Sequence, residues 1–361
     1  MKKLYTFLLL ICAFSALFAQ NADTTEVARE SRRHRIPEAY RPKFTATVLG
    51  RYEYNPQINK HHFELRHTRI GVSGSVHPMF SYMALVDLTY GGQFSPVAIF
   101  AQFKPVKGLS FLIGYDKMPF SSENLLSPYQ YYFSDKSFLT QKITAWSDVG
   151  AVVAYKWDKV IPFEIKAGIF NGAGFGRQME FQEHLNYVAR GTFELFKNFK
   201  LTLDYAGVRP EAFRMHHYEV ELAYDIANLH LEAEYLYKTY KEPSLRPTHA
   251  LYSFAYYKIN VGKKMLDNIA IGARYDAITA NSRGKADADG NYVVEPLRQR
   301  LTAGLTFIFV EKPLRAGIRL NYEKNFVHKG VECKEDRIIL ELITHFGSYR
   351  LSSSPQFVSE R

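Results

Sequence analysis

Charged side chains recur at every second position along several segments of the chain, and this spacing is the clearest chemical signal in the sequence. Alternate residues of a β-strand point the same way, so neighbours in the pattern such as Glu219 and Glu221 would share one face. A face of this kind contacts water and ions instead of an apolar core. The pattern includes Arg51, Arg274, Arg298, Arg300, Arg315, Arg319, Glu219, Glu221, Glu232 and Glu234.

The two signs nearly balance over this predicted face, but they are separated along the chain. The segments around Glu221 and Glu232 are acidic, whereas those around Arg300 and Arg319 are basic. Separated signs would create a transverse field that orients dipolar solutes. The alternative is that the charges pair across strands and solvate a water-filled face. A dedicated anion path would need a clear excess of arginine, which this face lacks.

The remaining polar residues form no motif for catalysis or metal binding. Adjacent histidines on a strand face opposite ways, so they do not predict a metal site; such pairs occur at His61–His62 and His216–His217. A hydrolase would need a nucleophile with a histidine in reach, and no motif joins the candidates Ser147 and His345. The sequence therefore predicts no enzyme, no metal site and no cofactor.

From Lys43 onward the dominant hydrophobic period is two residues. In MFSYMALVDLTY (79–90) all even positions are apolar, and Ser81, Asp87 and Thr89 occupy odd ones, which predicts a half-apolar strand. Alternation slips phase near Arg66 in 62–76, and aromatic residues occupy both faces of 249–262. The sixteen predicted strands are 43–54, 62–76, 79–90, 96–104, 109–116, 149–157, 161–170, 185–196, 199–206, 216–226, 229–239, 249–262, 268–277, 297–310, 314–324 and 336–346.

The connections between these segments alternate between short and long. Short turns such as 105–108 are followed by longer gaps, and the longest, 117–148, lies between the fifth and sixth segments. Strands of about ten residues with this loop pattern are typical of transmembrane barrels, whereas a secreted β-sandwich has no reason to alternate its loop lengths. The sequence predicts an all-β, antiparallel transmembrane barrel of 16 strands with a long third outer loop folded into the lumen.

This third loop supplies the candidate residues of a constriction. The candidates in the loop or at its edges are Lys117, Glu123, Lys136, Lys142 and Asp148. The aromatic group YQYYF (129–133) is expected to pack the loop onto the wall, with lining of the opening as the alternative.

The two ends of the chain are predicted to lie outside the barrel. Residues 1–19 combine Lys2 and Lys3 with an apolar run and end at the small Ala19, which predicts a cleaved secretory signal peptide. Residues 20–42 are predicted to be a flexible basic arm in the periplasm, 43–347 the barrel, and 348–361 a periplasmic tail. An exported basic arm does not predict a nucleic-acid partner.

Three groups of motifs resemble the phosphate-selective porin O and P family. They are ELRHTRIGVSGSV with FSYMALVDL, FAQFKPVKGLSFLIGYDKMPFSSENLLSPYQYYFSDKS with SDVGAVVAYKW, and the closing pair IRLNYE and DRIILELITHF. The resemblance implies a sixteen-stranded, trimeric outer-membrane porin with basic residues in its lumen. Two positions depart from the family: Lys136 stands where Arg is usual, and Ser147 stands where an Arg-Asp pair is common.

These features predict a porin of a Gram-negative outer membrane, with lipid, small hydrophilic solutes or ions, and its own copies as partners. Solutes, among them anions such as phosphate, would diffuse passively through the constricted lumen. The alternatives are an outer-membrane barrel hydrolase and a blocked structural or adhesive barrel. Aromatic residues make up 15% of the chain, and they are expected in two outward belts at the membrane interfaces without a buried aromatic core.

Overall fold

The computed structural model describes residues 37, 40–90, 93–263, 265–311, 314–327 and 334–347. The predicted signal peptide, most of the predicted N-terminal arm and the predicted C-terminal tail lie outside the described residues. No described helix is long and apolar enough to cross a membrane.

Sixteen strands form one closed antiparallel barrel, in which the first strand completes the ring by pairing with both the second and the last. Each of the sixteen predicted segments coincides with one barrel strand. The strands are β1 (Lys43–Asn55), β2 (Lys60–His77), β3 (Phe80–Tyr90), β4 (Gln93–Val106), β5 (Leu109–Lys117), β6 (Ser147–Trp157), β7 (Phe163–Phe170), β8 (Asn186–Phe196), β9 (Phe199–Val208), β10 (Met215–Ile226), β11 (Leu229–Tyr240), β12 (Thr248–Lys263), β13 (Leu266–Ile278), β16 (Arg298–Val310), β17 (Arg315–Val327) and β18 (Arg337–Phe346).

A two-stranded hairpin that the alternation did not predict lies in the connection between β13 and β16. It consists of β14 (Asn281–Ala286) and β15 (Tyr292–Glu295), which pair only with each other. These strands are only six and four residues long, and neither the polar NSRGKA of β14 nor the YVVE of β15 alternates, so they carry no hydrophobic period that a sequence could display.

The two faces of the wall follow the predicted alternation. In β10, Glu219 and Glu221 point inward and are buried, whereas Val220 and Leu222 point outward and are exposed. The phase slip near Arg66 is a β-bulge, because Leu49 and Gly50 of β1 pair with His67 and Leu65 and leave Arg66 without a partner in the register. A bulge puts two successive side chains on one face, and here it directs Arg66 into the lumen toward Asp135.

Connections at the two ends of the barrel differ in length. At the end where β1 begins and β18 ends, which we call the turn end, tight turns such as 197–198 and 227–228 join the strands. At the opposite end, which we call the loop end, the first two connections are also short, but the later ones are longer. The longest is loop 3 (118–146), which contains helix α1 (Ser122–Leu125), a 3₁₀ turn (Pro128–Gln130) and a π-helical turn (Thr140–Thr144); a further 3₁₀ turn (Phe175–Arg177) lies in the next loop.

Candidate pore constriction

Loop 3 crosses the lumen and contacts strands on opposite sides of the ring. At one side, Ser122 Oγ accepts a hydrogen bond from Arg190 of β8 at 2.5 Å. At the other, the backbone carbonyl of Tyr131 accepts one from Arg319 of β17 at 2.5 Å. The predicted inward folding of the third loop is therefore confirmed.

A buried apolar core joins loop 3 to the inner faces of β7–β13. Phe133 lies edge-on to Phe254 of β12, with ring centroids 5.6 Å apart, and Tyr132 packs against Tyr256 at 5.0 Å. Tyr252 is almost fully buried on the same inner face. The prediction that the aromatic residues form outward belts without a buried core was wrong in its second part, because lumen-facing rings of β12 pack against the loop.

On the basic side of the lumen, the carboxylate of Asp135 anchors the loop to three arginines. Arg337 donates to it at 2.6 Å and Arg51 at 2.8 Å, and Arg66 lies 3.5 Å away. Burial acts to raise the pKa of Asp135, but these guanidinium groups outweigh it and hold the pKa below its ordinary value. Asp135 therefore remains ionised and couples loop 3 to β1, β2 and β18.

Three further arginines of this side donate to backbone carbonyls of the loop. Arg274 donates to the carbonyl of Asp135 at 2.9 Å, Arg300 to that of Lys136 at 2.7 Å, and Arg319 to that of Tyr131. Each guanidinium offers five donors, so it holds the loop while also pairing with a carboxylate of the wall. These carboxylates include Asp276, Glu323 and Glu341.

Carboxylates of the wall bind the loop through its backbone N–H groups. The N–H of Ser121 donates to Asp204 at 2.9 Å, and that of Ser122 donates to Glu221 at 3.3 Å. The N–H of Phe138 donates to Asp276 at 2.9 Å. The separated signs of the wall thus meet complementary groups of one loop: acids bind its N–H groups, and arginines bind its carbonyls and Asp135.

Two lysines of the loop region have no acidic partner among the described ion pairs. Lys117 Nζ donates to the carbonyls of Asn124 and Leu126 at 2.6 Å, and Lys136 Nζ donates to the side-chain oxygen of Asn124 at 3.3 Å. Lys136 and Arg69 of β2 both act electrostatically on Lys117. Lys117, Lys136 and Arg69 therefore lie near one another beside the loop, with Asp116 next to Lys117 and Asp87 paired with Arg69.

The other predicted constriction residues have different neighbours. Glu123 accepts hydrogen bonds from Arg274, from Thr140 and from both the N–H and the hydroxyl of Ser137, so it braces the loop internally and against β13. Lys142 pairs with Glu295 of the β14–β15 hairpin at 3.0 Å. Asp148 accepts from the N–H groups of Gly172 and Gly174 in the next loop. The structure therefore brings together Lys117 and Lys136 and places Lys142 and Asp148 against other loops.

All ten predicted wall residues lie on the inner face. Arg51, Arg274, Arg300, Arg319, Glu221 and Glu234 are buried by the loop or by neighbouring strands, as is Glu219. Arg298 pairs with Glu335 at 2.6 Å, and Glu232 accepts from Tyr252 at 2.6 Å. Arg315 lies near Tyr129 and Arg319 at the turn end.

Solved structures share this architecture, although no protein-family model and no curated protein matches the chain. The outer membrane channel DcaP of Acinetobacter baumannii superimposes with a TM-score of 0.60 at 14% identity, over 86% of this chain and 99% of that one. An anion-selective porin from Comamonas acidovorans gives 0.59 at 10% identity, over 85% and 99%. OmpF of Salmonella typhi, in complex with daunomycin, gives 0.58 at 14% identity, over 85% and 98%.

The chain has the barrel fold of outer-membrane porins. Identities this low establish the fold alone, and they do not support membership of the phosphate-selective porin O and P family in particular.

The structure also shows where the two residues considered for a hydrolase lie. Ser147 begins β6 at the loop end, whereas His345 lies near the turn end, where it hydrogen-bonds to Thr47 at 2.8 Å and stacks on Tyr129. The structure does not bring Ser147 and His345 together.

Sequence reasoning missed the residues that fix the loop. Asp135, Asp276 and Asn321 were not singled out as site residues, although Asn321 accepts both the N–H and the hydroxyl of Ser134 at 2.8 and 2.6 Å. The alternation does place Asp276 on the inward face, and it could have flagged Asn321, which also occupies an inward position of its strand. Nothing in the local sequence around Asp135 marks it as the partner of arginines more than 80 residues away.

Proposed function

We propose that the protein is an outer-membrane porin through which small hydrophilic solutes diffuse passively. The observation that carries this proposal is the uneven attachment of loop 3. Its hydrogen bonds, ion pairs and ring contacts reach β1, β2, β8–β13 and β16–β18. Among the described residues, no such contact joins it to β3 or β4. This uneven attachment favours a passage between loop 3 and the inner faces of β3 and β4.

Polar groups from both sides would border this passage. The wall contributes Asp87 and Gln102, which are both buried beside the apolar cluster of Met83, Leu85 and Ala98. Asp87 is held by His67 at 2.8 Å and by Arg69 at 2.9 Å. The loop contributes Lys136. A narrow aqueous path with fixed charges on its walls selects solutes by size and by charge, without an energy source.

We further propose that the passage prefers anions. Lys136 favours this preference because its ammonium group hydrogen-bonds to the neutral side-chain oxygen of Asn124 and has no acidic partner among the described ion pairs. On the opposite side, Arg69 largely neutralises Asp87. Phosphate is the narrower form of this proposal and rests on the family resemblance alone, since Lys provides a point charge where Arg would bind phosphate through two hydrogen bonds.

Purified protein in planar bilayers provides the test. We expect conductance steps, and in a salt gradient a reversal potential of the sign that anion preference requires. Lys136→Glu should shift the reversal potential toward cations, whereas the matched change Lys142→Glu should shift it much less because Lys142 faces the outer hairpin. Cation preference in the unchanged protein would overturn the anion proposal, and a complete lack of conductance would overturn the porin.

One observation favours a second candidate, a structural barrel with a blocked lumen. Lumen-facing charges that a wide pore would expose are fully buried, with Arg319, Glu323 and Glu341 all at 0% exposure. Loop 3 also packs through an apolar core against the strands around Phe254. The same bilayer recording separates the two candidates, because a blocked barrel gives no steps even in variants that keep the fold.

The location and assembly belong to the same proposal. An outer-membrane barrel contacts lipid with its apolar face, and outward rings such as Tyr155, Trp157 and Tyr235 are suited to the interface. We propose a homotrimer, in line with the resemblance; one matching structure is described as the trimer form of an outer membrane protein of Vibrio cholerae. Light scattering in detergent that returned the mass of one chain would contradict this assembly.

A further inference from the structure

Four carboxylates converge on the inner wall beneath the start of loop 3. Glu219 and Glu221 lie on β10 and Glu234 on β11, and one oxygen from each of the three lies within 4.8 Å of the others. Asp204 of β9 is the register partner of Glu219. All four side chains are buried.

The cations around this group do not balance its charge. Arg190 pairs with Asp204 and lies 3.7 Å from Glu221, and it is the cation that the described ion pairs assign to the group. Four carboxylates facing one guanidinium leave an excess of negative charge. Buried charge without compensation is strongly unfavourable, so the carboxylates either share protons or bind a further cation.

Several oxygens at this point have no hydrogen-bond partner among the described residues. Both carboxylate oxygens of Glu219 are unpartnered, as are one oxygen of Glu234 and one of Asp204. The hydroxyl of Ser121 is also unpartnered, and this residue is fully buried with its backbone N–H on Asp204. Ser121 belongs to loop 3 and not to the acidic cluster, and its hydroxyl lies close enough to Glu234 to act on it, so it is aimed at the same point.

The number and kind of ligands match one ion in particular. Ca²⁺ binds six to eight oxygens in flexible geometry, many of them from carboxylates. Mg²⁺ demands strict octahedral geometry, keeps several of its waters and usually binds through one or two carboxylates. A group of four carboxylates with a hydroxyl beside it, in which one oxygen from each glutamate lies within 4.8 Å of the others, therefore fits Ca²⁺.

We propose that Glu219, Glu221 and Glu234 bind a calcium ion, with Asp204 and Ser121 as further oxygen ligands. The ion joins β9, β10 and β11 to the first residues of loop 3. On the acidic side of the lumen, the ion attaches loop 3 to the wall, as Asp135 does on the basic side. The site does not depend on which solute, if any, crosses the lumen.

Direct binding of calcium to the full, folded chain in detergent tests the site. After treatment with a chelator, equilibrium dialysis with radioactive Ca²⁺ should give one tightly bound ion per chain. Glu219→Gln should weaken binding at least about tenfold, because ligand charge sets affinity in oxygen sites. Glu194→Gln, which removes an inward carboxylate of β8 outside this group, should leave binding unchanged.

Thermal unfolding separates calcium binding from proton sharing. With calcium bound, the unchanged protein should melt at a higher temperature than in chelator, whereas Glu219→Gln should lose this dependence and melt higher than the unchanged protein in chelator. If the carboxylates only share protons, calcium will not alter the melting temperature of the unchanged protein. That result, or calcium binding that survives Glu219→Gln, would overturn the proposal.

Discussion

The anchor at Asp135 can be tested by removing its charge while keeping its shape. Asp135→Asn removes the charge and leaves one oxygen that can accept from either Arg51 or Arg337, but its NH2 group faces the other arginine, because the two arginines donate to different carboxylate oxygens. The two arginines keep other partners, since Arg51 also pairs with Glu53 and Arg337 with Glu323 at 2.5 Å. They are therefore not left as isolated buried charges, and the barrel itself should remain folded.

The size of the effect follows from the two hydrogen bonds. A hydrogen bond to a charged group contributes about 1.5–3 kcal/mol and is roughly twice as strong as a neutral one. One of the bonds from Arg51 and Arg337 is lost and the other is halved, which together cost about 2–4.5 kcal/mol. The contact with Arg66 adds little, because that side chain is 35% exposed and lies 3.5 Å away. The population with loop 3 displaced should rise about thirty- to two-thousandfold.

Limited digestion with trypsin measures this population, because displacement exposes the peptide bonds after Lys136 and Lys142. We expect mass spectrometry to find these cuts forming faster in Asp135→Asn, while the melting temperature of the barrel hardly changes. Asp289→Asn is the matched control, because it removes an exposed acid from the turn of the β14–β15 hairpin. Equal cutting rates in the two variants would refute the reasoning and would leave the backbone carbonyls as the real anchor.

Three further predictions concern the same loop. Phe133→Ala should cost about 3–5 kcal/mol of loop attachment by leaving a cavity beside Phe254, measured as faster trypsin cutting. Gly304→Ala should loosen the loop too, because an added Cβ would lie 2.5 Å from the Asn321 amide and 3.2 Å from Phe133; unchanged amide hydrogen exchange of the loop would contradict it. The lowered pKa of Asp135 means that its contribution is complete above about pH 4 and is lost as pH falls through the folded value. The difference in hydrogen exchange between the unchanged protein and Asp135→Asn should therefore persist at about pH 4 and disappear in stronger acid.

The barrel could be predicted from the sequence because each strand carries its own evidence. Alternation is local, so a segment such as 79–90 reveals both the strand and its inward face without knowledge of its neighbours. The two least regular segments were the informative ones. The phase slip at Arg66 is the bulge that directs this arginine to Asp135, and the second aromatic face of 249–262 is the surface that packs against loop 3.

The contacts of loop 3 could not be predicted, because they join residues far apart in the sequence. Asp135 and Arg337 are 202 positions apart, and Arg51 precedes Asp135 by 84. No period relates such residues, and a loop has no alternation to show which side chain points to the wall. Lys142 illustrates the problem: its charge suggested a role in the constriction, but its partner Glu295 lies in a hairpin without any hydrophobic signal.

The separation of charge on the wall has a different explanation from the one its pattern first suggests. A transverse field acting on solutes requires charges that face open water, yet Arg300, Arg319 and Asp276 are buried against loop 3. A polypeptide laid across a lumen presents both N–H and carbonyl groups, each of which must find a partner when buried. A wall that carries buried acids and arginines side by side, as Asp276 and Arg300 do, satisfies both kinds of group at once. Buried charges of both signs are therefore expected wherever a barrel holds a long loop inside, and the charges that act on solutes should be the few, such as Lys136, that the loop leaves without an acidic partner.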